Sequence, residues 1–181
     1  NSTKIDLTLK LDKEDISDEV RLIFSEIESI FGMIPNLFKT SAHFPPLLKA
    51  NWDKVKAVMI GGNLSRKAKE TIAVVVSNDN SCQYCVGAHS MVLKTIGVTD
   101  KALEEIHNMD LAEAGFNEKE IALILFAQKA NSNPNRIPDS EFQKLINLGA
   151  TEPEIVEALG VMELFTAFNK FVDSLEIAMD F

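Results

Sequence analysis

Several features that mark common protein classes are scarce in this sequence or missing from it. Two cysteines are too few to staple a secreted domain of this length, so a disulfide scaffold is excluded and a reducing compartment is expected. No stretch approaches the roughly eighteen apolar residues that would span a bilayer. The opening residues alternate charge with apolar side chains instead of forming a signal sequence, and the expectation is a soluble, cytoplasmic protein. Positive charge is also short: 18 Lys and Arg against 27 Asp and Glu leave a net charge of −9. Neither a phosphate backbone nor an anionic membrane would attract such a surface, so no nucleic-acid or membrane partner is expected. The one adjacent glycine pair, Gly61-Gly62, is not a dinucleotide fingerprint, and no flavin or nicotinamide cofactor is expected.

What is present is hydrophobic and helical. A hydrophobic content of 46% over 181 residues suffices for one sizeable core, and a single domain over residues 1–181 is the reading, with 1–15 as an N-terminal arm. Helical spacing begins at Ile16 and runs to Phe31 behind a Ser17/Asp18 start, with Gly32 as its stop. Three prolines, Pro35, Pro45 and Pro46, then leave a short turn around Leu37 and a new helix to about Ile60. Ser65 opens the next, with an apolar face of Ile72, Val75 and Val76. Its valine run is read as helix because no partner strand follows. Further helices are expected from Met91 to Ile96, from Thr99 to His107, over Glu118 to Asn131, over Asp139 to Leu148 and from Glu152 to about Ala178. The fold class is all-α.

Both cysteines fall in one short stretch, Ser81-Cys82-Gln83-Tyr84-Cys85-Val86-Gly87-Ala88-His89. If Cys82 begins a helix, Cys85 lies one turn on and His89 a further turn, so all three side chains share a face. Thiols at this spacing close to a disulfide with little backbone movement, and a thiol near a helix N-terminus is acidified by free N–H groups. An imidazole one turn away accepts a thiol proton directly or through water, and a carboxylate is then wanted to orient it. Glu70, twelve residues before Cys82, is the candidate. Two other readings stay open on the residues alone: inert buried thiols, and a zinc site using Cys82, Cys85, His89 and Glu70. His43 and His107 read as surface residues, and Trp52 and Tyr84 as packing groups.

The pattern Glu70, eleven residues, Cys82-x-x-Cys85-x-x-x-His89 resembles the signature of alkyl hydroperoxide reductase D and its relatives in the carboxymuconolactone decarboxylase-like superfamily. The stretch around Gly32 to Asn36 resembles the lead-in of the peroxidase-related branch, and Phe165 to Leu175 its terminal helix. The resemblance implies a single-domain helical bundle of the alkylhydroperoxidase D-like type and a thiol-dependent hydroperoxide reductase. It makes Cys85 the attacking thiolate, Cys82 the resolving cysteine, and Glu70 and His89 a proton relay. Some members carry a histidine where this chain has Tyr84. Peroxide is the implied substrate, and a separate lipoyl or thioredoxin-like protein the implied reductant, with no metal at the site. The alternative from another class is a metal- or redox-sensing binding module built on the same cluster. The resemblance also implies a homo-oligomer, trimer or hexamer. The apolar residues Met162, Phe165, Phe168 and Phe171, with Trp52, Val55 and Val58, are expected to meet a neighbouring chain that shields the thiol pocket.

Overall fold

The computed structural model describes residues 6–9 and 15–181, and among these every regular element is helical. In chain order they are α1 (Asp18–Phe31), α2 (Asn36–Ser41), α3 (Pro45–Val55), α4 (Arg66–Asp79), α5 (Gln83–Thr95), α6 (Asp100–His107), α7 (Glu118–Ser132), α8 (Asp139–Asn147) and α9 (Glu152–Leu175). A π-helical turn over Lys56–Ile60 extends α3, and a 3-10 turn over Pro134–Arg136 precedes α8. No helix among the described residues is long and apolar enough to cross a membrane.

Helix starts follow local chemistry. The side chains of Ser17, Ser65, Thr99, Asn117 and Thr151 each accept a backbone N–H three residues on, satisfying a donor that the first turn leaves without a partner. At Asn117 and Thr151 the third helical residue, Glu120 and Glu154, reaches back to complete a capping box. Gly32 ends α1 at φ 77°, a conformation a side chain would strain.

Helix α4 is the axis of the molecule. Every residue from Ala68 to Ser77 is buried, with α5, α7 and α9 packed around it. The one-sided face expected of Ile72, Val75 and Val76 is therefore corrected to a helix enclosed on all sides. The valine run is helix, as the absence of a partner strand implied. Lys69 is part of that enclosure at 1% exposure: its ammonium donates to Gly61 O and lies 3.6 Å from the Glu157 carboxylate, which in turn accepts the Asn63 and Leu64 N–H groups at 2.6 Å each.

Two helix ends differ from expectation. The helix begun at Pro45 switches from α to π bonding after Val55, with Gly61 N–H donating to Lys56 O at 3.0 Å, so its last turn is wider than the spacing implied. Helix α9 stops at Leu175 instead of about Ala178, because Glu176 turns left-handed and residues 177–181 double back. There Asp180 accepts the Asn36 N–H at 2.8 Å and the Asn36 side chain donates to Ala178 O at 3.0 Å.

The aromatic residues expected at a subunit contact belong mostly to this chain's own core. Phe31, Trp52, Phe38, Phe168 and Phe165 form an edge-to-face chain with centroids 5.5 to 6.3 Å apart, and Trp52, Val55, Phe165 and Phe168 are buried. Helices α1 and α2 supply the cover. Of the expected N-terminal arm, residues 1–5 and 10–14 lie outside the described residues. Leu9 is buried in the core and the Leu7 carbonyl accepts from His43 Nε2 at 2.8 Å.

Candidate active site

The site is built on a tight reversal between α4 and α5. Asn80 and Ser81 make the turn, with Ser81 at φ 60° and its N–H donating to Asn78 O, and the Cys82 N–H donates to Ser77 O at 2.9 Å. Cys82 thereby becomes the N-cap of α5, next to the free N–H groups of its first turn. Because α5 runs back along α4, Glu70 and His89 come level roughly 9 to 14 Å from the turn. His89 Nδ1–H donates to Glu70 Oε2 at 2.5 Å, and Glu70 is 3% exposed. Glu70 is therefore not a solvated surface charge. With Nδ1–H committed to the carboxylate, Nε2 is the nitrogen left to take or give a proton. Arg66 Nε stands 3.9 Å from the other Glu70 oxygen, and the Phe165 ring packs edge-on to the imidazole at 4.4 Å.

Both thiols are free and buried, Cys82 at 0% and Cys85 at 2% exposure. The two sulfurs are close enough for their protons to belong to the pair. The Cys85 thiol and N–H both donate to Cys82, which holds Cys82 below the ordinary thiol value, and the same shared proton with burial pushes Cys85 up. Helix α9 adds two lesser influences: the Asn169 amide favours a thiolate on Cys85, and the Asp173 carboxylate disfavours one on either cysteine.

Tyr84 is anchored by its hydroxyl. Its hydroxyl donates to Asp180 Oδ1 at 2.6 Å and accepts the Leu37 N–H at 3.2 Å. Burial, with the Asp180 carboxylate, pushes the phenol far above its ordinary value. It is an anchor for α2 and the 177–181 segment, not a proton relay. His107 lies against Ser90 at 3.4 Å on the surface and His43 against Leu7, both outside the site.

Among the described residues no three His, Cys, Asp or Glu side chains are grouped as a metal cage. A cleft of about 170 Å³ lies at the other end of α4, lined by Ser65, Asn117, Glu120 and Glu154. Its two carboxylates are spent on capping boxes, so it offers no free acid or base.

A family model described as the carboxymuconolactone decarboxylase family matches residues 45–129, which takes in Glu70, both cysteines and His89. An alkyl hydroperoxide reductase of Mycobacterium tuberculosis (strain ATCC 25618 / H37Rv) is 30% identical over 80 residues, 44% of this chain and 23% of the relative. The match over residues 45–129 and this relative support an alkylhydroperoxidase D-like member of the carboxymuconolactone decarboxylase superfamily. The chain spans about a quarter of the length of that curated relative. Among solved structures, the alkylhydroperoxidase core of an uncharacterized peroxidase-related protein from Ralstonia eutropha JMP134 superposes with a TM-score of 0.81 at 23% identity, covering 91% of this chain and 87% of that one. A variant of the debrominase Bmp8 in complex with 2,3,4-tribromopyrrole superposes at 0.83 with 18% identity, covering 99% and 94%. At these identities the two structures speak for the helical fold alone.

Residues that sequence reasoning missed lie on α9 and in the polar network behind it. Asn169 was hidden in an apolar stripe, and that is its signal: an amide at 1% exposure between Phe165 and Val172 demands a partner.

Proposed function

We propose that this protein is a thiol-dependent hydroperoxide reductase, an antioxidant dithiol enzyme. One observation carries the reading: two free thiols shut from water, one at a helix N-cap, beside an imidazole whose Nδ1 is held by a buried carboxylate. That combination makes a nucleophile and gives its proton somewhere to go. The Mycobacterium tuberculosis relative's name, alkyl hydroperoxide reductase, supports the same chemistry.

In this reading Cys85 attacks. Once its proton has passed to the His89–Glu70 relay, its thiolate attacks the distal peroxide oxygen; an S–O bond forms as the O–O bond breaks, and Cys85 becomes a sulfenic acid while the leaving alkoxide or hydroxide takes that proton back from the relay. The Cys82 thiol then condenses with the sulfenic acid, forming the disulfide and releasing water. A separate dithiol protein, lipoyl or thioredoxin-like, reduces the disulfide and is itself oxidised to a disulfide, which restores two thiols on this chain.

Stopped-flow consumption of hydrogen peroxide and of an alkyl hydroperoxide by the reduced protein tests the assignment. Cys85→Ser should abolish the fast phase. Cys82→Ser should keep one turnover and leave a sulfenic acid trappable by dimedone. A Cys85→Ser protein as fast as the wild type overturns the reading.

A further inference from the structure

The reversal that carries Cys82 is held from the side by amides and hydroxyls of three helices. Their hydrogen bonds run in one direction. Thr166 Oγ1 on α9 donates to Asn131 Oδ1 on α7 at 2.5 Å, and Asn131 Nδ2 donates to Asn80 Oδ1 at 2.9 Å. Asn80 Nδ2 then donates to Asn169 Oδ1 on α9 at 2.9 Å, and Asn169 Nδ2 to Ser77 Oγ on α4 at 2.9 Å. The run ends beside the site, because the Ser77 carbonyl takes the Cys82 N–H at 2.9 Å. Asn169 thus bridges Ser77 and Asn80, which stand three residues apart at the end of α4. A second tie from α7 reaches the same place, Gln128 Nε2 donating to Asp79 at 3.0 Å.

Buried amides and hydroxyls add little to stability, since apolar side chains of similar volume fill a core without desolvating a polar group. What a directional run supplies is fixed geometry, each bond polarising the next. The geometry needed here is an unfavourable one. Ser81, next to Cys82, has φ 60°, which a residue with a Cβ adopts only where its surroundings impose it. Asn80 is fixed through both ends of its amide immediately before Ser81, and the Cys82 N–H is fixed immediately after it.

We propose that the run from Thr166 to Ser77 is a brace that positions the dithiol: it holds Ser81 left-handed, keeps Cys82 at the N-cap of α5, and sets the Cys82 sulfur where the Cys85 sulfur closes on it. Thiols three residues apart form a disulfide over a narrow range of Cα separation and side-chain direction. A turn that wanders lowers the effective concentration of one sulfur at the other. Thr166, Asn131 and Asn80 are therefore positioning residues that act through the backbone of the turn. The inference rests on reading Cys82 and Cys85 as a redox dithiol and is indifferent to which sulfur attacks.

The test is equilibration of the protein with glutathione buffers of graded ratio near neutral pH, followed by acid quenching and mass spectrometry of the disulfide fraction. In that exchange the dithiol gives two electrons and two protons to glutathione disulfide, leaving the Cys82–Cys85 disulfide and two glutathione thiols. Thr166→Val keeps the shape of a half-buried side chain and removes its bonds to Asn131 and Asn80. Thr166→Val and Asn131→Ala should each lower the equilibrium constant for disulfide formation roughly three- to tenfold, tenfold being about 30 mV. Adding Ser81→Gly, which removes the cost of a positive φ, should recover most of that loss while changing the wild type little. Gly32→Ala, at the end of α1, is the control for lost stability alone and should leave the equilibrium where it is. Variants that keep their helical circular dichroism and the wild-type equilibrium overturn the brace. So does an equal shift in Gly32→Ala, or a loss that Ser81→Gly leaves untouched. If Asn131→Ala does not fold, Thr166→Val alone decides. A wild type that forms no disulfide at any glutathione ratio refutes the dithiol reading itself and the brace with it.

Discussion

At the scale of single residues, Tyr84 shows how a side chain inside the motif is removed from the chemistry by what its oxygen touches. A phenol that gives its proton to Asp180 and accepts an N–H from Leu37 cannot ionise without setting two anions side by side in a buried place. Its ionisation is raised in the folded state, so the stability it contributes is present below the ordinary tyrosine value of about 10 and is lost as pH rises beyond it, where the unfolded chain alone releases the proton. Tyr84 is the only tyrosine. An alkaline titration followed at 295 nm should therefore show no tyrosinate until the helical circular dichroism collapses, and then both signals together. Tyrosinate growing in near pH 10 with the helices intact would show that the Asp180 contact does not hold in solution.

Among the helices, what was legible in the sequence and what was not divide on physical lines. Ser17, Ser65 and Thr99 announce starts because capping is a contact within three residues. Glu70 and His89 could be matched because the turn joining their helices is short, which leaves the second helix one way to return. Asn169, Asp173 and Lys69 were illegible because their partners lie far along the chain, and α4 hid its surroundings because a helix buried on every side has no polar face to read. The Lys69–Glu157 clasp on the 61–64 loop gives this a measurable form. Gly62 has φ 93°, and a Cβ there would run into the Glu157 carboxylate, whereas Gly32, at φ 77°, has open space around it. Gly32→Ala should cost the backbone strain alone, about 1–2 kcal/mol. Gly62→Ala should cost more, since it must also displace a buried ion pair. Urea unfolding of the two variants decides it, and equal losses would mean that the clasp yields freely.

For the whole molecule, the burial of both cysteines changes what a neighbouring subunit would be needed for. Helices α4, α5 and α9 of this chain already exclude water from the sulfurs, so shielding them does not require a second copy. What stays open is the edge of His89, 20% exposed, with Met91 and Ile96 beyond it on α5. Elsewhere Leu22, Phe44, Ile146, Val156 and Phe181 are each more than half exposed, a large apolar area for a chain whose core is otherwise closed. A homo-oligomer is expected on that ground, and light scattering at low micromolar concentration should give a mass well above the 20.0 kDa of one chain. If subunits meet over the His89 edge, water is excluded from the imidazole and the relay strengthens on assembly. Dilution below the dissociation point should then slow peroxide turnover per chain while leaving the rate of thiol alkylation unchanged, because the sulfurs are buried within each chain. Alkylation that accelerates on dilution would mean that the neighbour, not α9, is the wall over the dithiol. A clean monomer at every concentration would remove the assembly and its coupling together.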